Sequence, residues 1–216
     1  MSKKNTAVIL LAAGLGTRMK STTPKVLHPV AGRAMILQLL DSLTDINPNR
    51  IVLVIGPDMG LVSETVAAAG YDFEIVIQND RLGTGHAVAQ TEKILSDFRG
   101  DVLVLYGDSP LIKSTTLFAM LEARAIKQNP AVVVLGFRPF DAAKYGRLMV
   151  GKDGNLEAII EVADASEEEL SNTLCNSGVM VIDSAILFDL ISNLSNNNSK
   201  GEFYLTDIIR LSGQNG

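Results

Sequence analysis

The string Leu11-Ala12-Ala13-Gly14-Leu15-Gly16-Thr17-Arg18-Met19 gathers small residues around two glycines, ends beside a cation, and is followed by Pro24-Lys25. Small side chains let successive backbone N–H groups turn toward one anion, and Arg18 and Lys25 add mobile positive charge at the same place. The chemistry that suits such a loop is the binding of a polyphosphate. Two familiar phosphate loops fail on spacing. A dinucleotide fingerprint needs a third glycine where Met19 stands and an acid at the end of the second strand, where the chain reads Ile55-Gly56-Pro57; a Walker loop needs Gly-Lys-Ser/Thr. A glycine pair after a strand also makes a plain tight turn, and Arg18 with Pro24-Lys25 tips the reading toward phosphate.

Further along, Tyr106-Gly107-Asp108-Ser109-Pro110 ends an apolar run with a carboxylate. An acid there suits Mg²⁺, which combines carboxylate and phosphate oxygens with water. The ordinary alternative, a cap for the helix expected near Lys113, lies too far from Asp108. Tyr106 either closes the same pocket or fills the core at a strand end. Gln78 follows a third apolar run and Gly83-Thr84 opens the next helical pattern; by itself a glutamine there is an ordinary exposed residue, and only a family resemblance would make the pair a grip for a base, between a side-chain amide and backbone groups. An amide can turn by half a rotation and pair with either uracil or cytosine, so Gln78 is not expected to choose the base alone. Backbone groups near Gly83 are expected to make that choice. His86 and His28 read as structural residues, the latter ordering the Lys25 segment.

These residues need a scaffold that presents strand ends. Residues 7–11, 51–55, 74–77, 102–106 and 131–136 are continuous apolar runs, the pattern of strands buried on both faces. Between them Met35, Ile36, Leu39, Leu40 and Leu43 recur at helical spacing, as do Leu61, Val62, Thr65, Val66 and Ala69, then Val88, Thr91, Ile94 and Leu95, then Leu117, Met120 and Leu121. Strand, helix and strand in succession predict an α/β fold with a Rossmann-like, mainly parallel sheet flanked by helices. In such a sheet ligands sit beyond the carboxyl ends of the strands, where the glycine loop and Asp108 fall. Past Gly136 the rhythm changes to a C-terminal α+β portion. A hairpin over residues 146–160 turns at Asp153-Gly154; an acidic loop (164–169), a strand (179–183), a helix (185–194) and an amphipathic segment (204–211) follow. Residues 1–216 read as one unit, divided at about residue 136.

The chain's 216 residues are 47% hydrophobic and 20% charged, and the net charge is −5 with no concentration of basic residues. That balance argues against a nucleic-acid partner or an anionic membrane surface. The single cysteine, Cys175, excludes an internal disulfide and reads as a core filler. Lys3-Lys4 before an apolar stretch outlines a secretory leader, but that stretch is short and runs into the glycine loop. A cytoplasmic location is the expectation. The sequence carries no signal of oligomeric state.

The glycine-loop string with Pro24-Lys25-Val26-Leu27 resembles the signature of sugar-phosphate nucleotidyltransferases. Gln78, Leu82-Gly83-Thr84-Gly85-His86-Ala87, Tyr106-Gly107-Asp108-Ser109-Pro110-Leu111, Tyr145-Gly146-Arg147, Glu161, Asn176-Ser177-Gly178 and Gly201-Glu202-Phe203-Tyr204-Leu205-Thr206-Asp207 narrow it. Together they are similar to the uridyltransferase domain of bacterial bifunctional N-acetylglucosamine-1-phosphate uridyltransferases. The resemblance implies transfer of a uridylyl group from UTP to N-acetylglucosamine 1-phosphate, giving UDP-N-acetylglucosamine and pyrophosphate, with Mg²⁺ as cofactor. It implies nucleotide contacts from Leu11, Ala12, Ala13, Gly14, Gln78, Gly83 and Thr84, and catalytic roles for Arg18, Lys25 and Asp108, the last also as metal ligand. Arg18 would face the departing pyrophosphate and Lys25 the reacting phosphates. Tyr106, Gly107, Gly146, Glu161 and Asn176 would serve the sugar, making 1–136 the nucleotide-binding part and 137–216 the sugar-binding part. Another sugar 1-phosphate or NTP, or a binding module without turnover, are the competing readings.

Three departures qualify the transfer. Ala163 stands where similar proteins often carry a basic residue, and Leu15 replaces a frequent lysine. An asparagine that supplies a second Mg²⁺ contact lies, in the resembled family, beyond the Thr206-Asp207 segment and outside residues 1–216. Nucleotide binding with weak turnover is therefore the expectation for these residues alone.

Overall fold

The structure, a computed structural model, describes residues 5–14, 16, 19–126 and 128–213. Its centre is an eight-stranded sheet, and β2 (Pro29–Val30) pairs separately with β3 (Arg33–Ala34). β1 (Thr6–Leu11) lies between β4 (Arg50–Ile55) and β6 (Asp101–Tyr106), and β5 (Glu74–Ile77) pairs with β4, all parallel. Alternation explains why β1, β4 and β6 are apolar past their first residues. Ala7, Ile9 and Leu11 pack into a core on one face with Val52, Val54, Val102 and Val104. Val8 and Leu10 pack on the other with Leu53, Ile55, Leu103 and Leu105. Successive side chains point to opposite faces, so a strand covered on both sides has no position for a polar residue.

Helices α1 (Met35–Leu43), α2 (Gly60–Ala68) and α5 (Ser114–Arg124) contribute to the second core. Helices α3 (Thr84–Ala89), α7 (Ser184–Ser192) and α8 (Ile208–Gly213) contribute to the first. The expected continuous helical pattern after Val88 is broken, since α4 (Glu92–Leu95) starts anew after Thr91. The register pairs Leu11 with Tyr106 and Ile55 with Ile77. The carboxyl ends of the four parallel strands are thereby level, and the loops that follow them share one edge.

The later strands join the same sheet. β10 (Cys175–Asp183) inserts between β6 and β7 (Val132–Phe137), antiparallel to both, so β7 runs the same way as β6 without pairing with it. The hairpin of β8 (Arg147–Val150) and β9 (Leu156–Ile160) extends the sheet, turning through Gly154 at φ +85°, as its Asp-Gly signal predicts. Three expectations are corrected. β5 is an edge strand whose Val76 packs against the first core on one face, while Ile75 and Ile77 on the other face are exposed. Leu61 is 53% exposed despite its helical spacing. Within the acidic loop, Glu167–Leu170 forms a short helix (α6), because Ser166 and Glu169 make a capping box that satisfies each other's backbone N–H.

Candidate functional site

Beyond β1 the backbone leaves the sheet while still bonded to it: Ala12 N–H donates to the Val54 carbonyl at 2.8 Å, and Gly107 N–H to the Leu11 carbonyl at 3.0 Å. Nothing lies within 4 Å of where a Cβ at Gly14 would be, which leaves its backbone open to a ligand. Gly16 has φ +61°, and a Cβ there would lie 2.7 Å from Lys25 Cβ. The second glycine therefore lets Lys25 lie against the loop. Residues Lys25–Leu27 form a single 3-10 turn with Val26 buried, and His28 closes it, its N–H donating to the Lys25 carbonyl at 3.1 Å. The His28 ring lies 3.3 Å from the Thr23 carbonyl, consistent with the ordering role read from the sequence. Arg18 lies outside the described residues.

Lys25 Nζ donates to the carboxylate of Asp108, which follows β6 in a turn closed by Ser109 N–H to the Tyr106 carbonyl (3.0 Å). On one side of this pair is a cleft of about 230 Å³ lined by Leu11, Ala12, Ala13, Gly14, Gln78, Gly83 and Thr84 among others. All seven residues expected to hold a nucleotide are thus brought together. On the other side is a second cleft of about 250 Å³ that includes Gly146, Glu161 and Asn176. Tyr106 and Asp108 border both clefts. Gly107 is buried beneath them, with room for a Cβ limited by Val26 Cγ1 at 3.0 Å.

The nucleotide-side cleft is braced by a distant segment. Phe203 N–H donates to the Leu82 carbonyl at 2.7 Å, Gly85 N–H to the Phe203 carbonyl at 2.8 Å, and Leu205 N–H to Thr84 Oγ1 at 3.0 Å. Gly83, at φ +111°, could not carry a side chain there, since a Cβ would lie 2.9 Å from Phe203 N. Gln78 is buried at 4% exposure, and its Nε2 donates to the Gly83 carbonyl at 3.1 Å and lies 3.1 Å from His86 Nδ1. The half rotation assumed for this amide is therefore constrained by neighbours.

In the second cleft Asn176 Oδ1 accepts Gly178 N–H at 2.9 Å within an irregular stretch of β10, and Asn176 N–H donates to the Gly146 carbonyl at 2.9 Å. A Cβ on Gly146 would stand 3.5 Å from Glu161 Oε1. Thr206 Oγ1 donates to that oxygen at 3.3 Å. Burial raises the Glu161 carboxyl above the usual range, against the pull of Thr206 and Lys200. Burial also pushes the Tyr106 hydroxyl up to about 12, against a hydrogen bond with Thr84, so Tyr106 acts as a neutral phenol.

Sequence reading missed several wall residues. Arg81 donates from Nε to the Ala13 carbonyl at 2.8 Å and lines the nucleotide-side cleft with Glu202, and Lys144 lines the second cleft. Neither cation sits in a motif spacing, and only the fold brings them in. Among the described residues no group of three or more His, Cys, Asp or Glu is placed to hold a metal ion. None of their helices is long and apolar enough to cross a membrane.

Level strand ends, an open glycine loop and two clefts that meet at one carboxylate define an α/β nucleotidyltransferase. The chain belongs to the MobA-like NTP transferase domain family, whose model matches residues 8–168. It is 56% identical over its whole length to the bifunctional protein GlmU of Paramagnetospirillum magneticum, of which it spans 47%, and 53% identical over 95% of its length to that of Rhodospirillum rubrum, of which it spans 45%. The chain thus covers about half the length of these curated relatives. A UDP-glucose pyrophosphorylase complexed with UDP-glucose has the same fold (TM-score 0.79, 18% identity, 98% of this chain and 88% of that one). So does a putative glucose-1-phosphate thymidylyltransferase from Bacillus anthracis (TM-score 0.79, 20% identity, 98% and 84%).

Proposed function

We propose that the protein transfers a uridylyl group from UTP to N-acetylglucosamine 1-phosphate, releasing pyrophosphate, in the cytoplasm. The observation that carries this reading is the junction of the two clefts at Tyr106 and Asp108, with Lys25 paired to the same carboxylate. A nucleotide on one side and a sugar phosphate on the other would meet there. The likeness to GlmU proteins supports the choice of substrates.

In this reading residues up to about 136 serve the nucleotide and those from 137 the sugar. Leu11, Ala12, Ala13 and Gly14 hold ribose and phosphates through backbone groups. Gln78, Gly83 and Thr84 take the base. Gly146, Glu161 and Asn176 orient the sugar, with Tyr106 and Gly107 forming the wall between. The sugar phosphate oxygen bonds to the α-phosphorus as the bond to the β-phosphate bridge breaks, and pyrophosphate leaves with that electron pair. Two anions must be held in line, so positioning and charge neutralisation carry the catalysis. Lys25 neutralises charge at the reacting phosphates and Arg18 at the leaving pyrophosphate. Each such contact contributes roughly 1.5–3 kcal/mol.

Mg²⁺ fits the donor set: Asp108 offers one carboxylate beside the phosphate loop, and this ion is held by one or two carboxylates with phosphate oxygens and water. When bound it supplies charge neutralisation to the phosphates. Asp108 would be its protein ligand, oriented by Lys25.

Phosphorus NMR of the protein mixed with UTP and N-acetylglucosamine 1-phosphate tests the reading. The expected result is growth of UDP-N-acetylglucosamine and pyrophosphate signals in equal amounts. Unchanged substrates together with no binding of UTP would remove it.

A further inference from the structure

We infer that His86 is a positioning residue that fixes the Gln78 amide in one orientation and thereby makes the pocket select a base with an imide N–H. The inference rests on the proposed uridylyl transfer and adds the source of its base specificity.

The orientation follows from what each neighbour can do. The Gly83 carbonyl oxygen only accepts hydrogen bonds, and it lies 3.1 Å from Gln78 Nε2, so the nitrogen end of the amide must face it. The Gly83 oxygen is itself fixed, because it also accepts Ala87 N–H at 3.1 Å in the first turn of α3. The second N–H of Gln78 has His86 Nδ1 at 3.1 Å. An Nδ1 that accepts places the ring proton on Nε2. By the same rule Gln90 Nε2 faces the His86 carbonyl, to which it donates at 3.1 Å, so its 3.2 Å approach to His86 Nε2 adds no hydrogen bond while Nδ1 is the acceptor.

With both amide hydrogens used, Gln78 Oε1 has no protein donor among the described residues and stands on the wall of the cleft that Gly14 and Thr84 also line. A lone acceptor there takes the N3–H of uracil. Cytosine presents a bare N3 acceptor instead, and two lone pairs would face each other in a buried place. Sites that hydrogen-bond a ligand N–H reject analogues lacking it far more strongly than apolar pockets reject a size change. Without the Nδ1 acceptor one amide N–H would be unpaired, and the half turn that presents N–H groups to cytosine would become easier. The sequence-based expectation that backbone near Gly83 makes the choice is thereby refined. The Gly83 carbonyl acts, but through Gln78, and His86 completes the lock.

The test compares kcat/KM and binding for UTP and CTP in the parent protein, His86→Leu and His86→Asn. Asn is the conservative variant because its Oδ1 stands close to where Nδ1 was. The expected result is a UTP-over-CTP ratio at least about tenfold lower in His86→Leu, most of it recovered in His86→Asn, with KM for the sugar 1-phosphate unchanged in both. If His86→Leu does not fold, as judged by thermal melting, His86→Ala supplies the same comparison. Equal loss of both nucleotides with the ratio intact would reduce His86 to a packing role and overturn the inference while leaving uridylyl transfer standing. A parent protein that binds neither uridine nucleotides nor discriminates UTP from CTP would overturn both.

Discussion

Lys25 Nζ is ion-paired with the Asp108 carboxylate, joining the loop after β1 to the turn after β6 at a residue that, with Tyr106, borders both clefts. Neither residue is deeply buried, so the pair contributes little to stability. Its placement matters for chemistry, because it sets a fixed cation and a fixed anion where two phosphates would converge.

Asp108→Asn keeps the shape and removes the charge. Turnover is expected to fall at least a hundredfold, about 2.7 kcal/mol of transition-state stabilisation, with the melting temperature nearly unchanged. Steady-state kinetics over a Mg²⁺ titration check this, and an unaltered Mg²⁺ dependence would remove Asp108 as the metal ligand.

Lys144 lines the sugar-side cleft together with Asp108 and Glu161, where an incoming sugar phosphate otherwise meets two carboxylates. Lys144→Ala should raise KM for the sugar 1-phosphate by about tenfold, the scale of one charge-assisted contact, and leave KM for UTP within a factor of two. A larger effect on UTP would place the lysine on the wrong substrate.

Gly178 has φ +87°, and a Cβ there would lie 2.9 Å from Tyr106 Cδ2. Gly178→Ala should therefore cost more than about 1 kcal/mol of stability and displace the tyrosine that divides the clefts. The melting temperature should fall by several degrees, and turnover should fall more than UTP binding does.

Burial raises the Glu161 carboxyl, so the folded chain holds this proton more tightly than the unfolded chain. Its contribution is fully present in acid and is lost as pH rises through the carboxylate range to the raised folded value. Glu161→Gln removes the charge that is costly at neutral pH. Thermal melts should show the variant more stable than the parent at pH 8 and level with it at pH 4, with weaker sugar-phosphate binding. A less stable variant at pH 8 would mean that ionised Glu161 holds the fold together.

The strands β1, β4 and β6 were legible because strands covered on both faces favour apolar residues, and that pattern survives without any knowledge of partners. The glycine loop and Asp108 were legible for a related reason: open parallel sheets present ligands at strand ends, so chemistry-bearing residues after strands are readable in one dimension. The insertion of β10 between β6 and β7 was not, because strand order is decided by long-range pairing. Arg81 and Lys144 have ordinary local sequences, and the bracing of Gly83 by Phe203 links residues 120 positions apart. The Gln78–His86 contact was hidden differently. Both residues were singled out, but the orientation of an amide depends on which atom its neighbours present, and only coordinates give that.

The most direct test of uridylyl transfer at the two-cleft junction is kcat/KM for pyrophosphate release, measured for UTP, CTP, ATP, GTP and dTTP against the 1-phosphates of N-acetylglucosamine, glucose, galactose and mannose. UTP with N-acetylglucosamine 1-phosphate is expected to exceed every other pair by at least about tenfold, the scale at which one buried polar mismatch discriminates. A different pair in first place, or no release from any pair with UTP unbound, would contradict the proposed reaction.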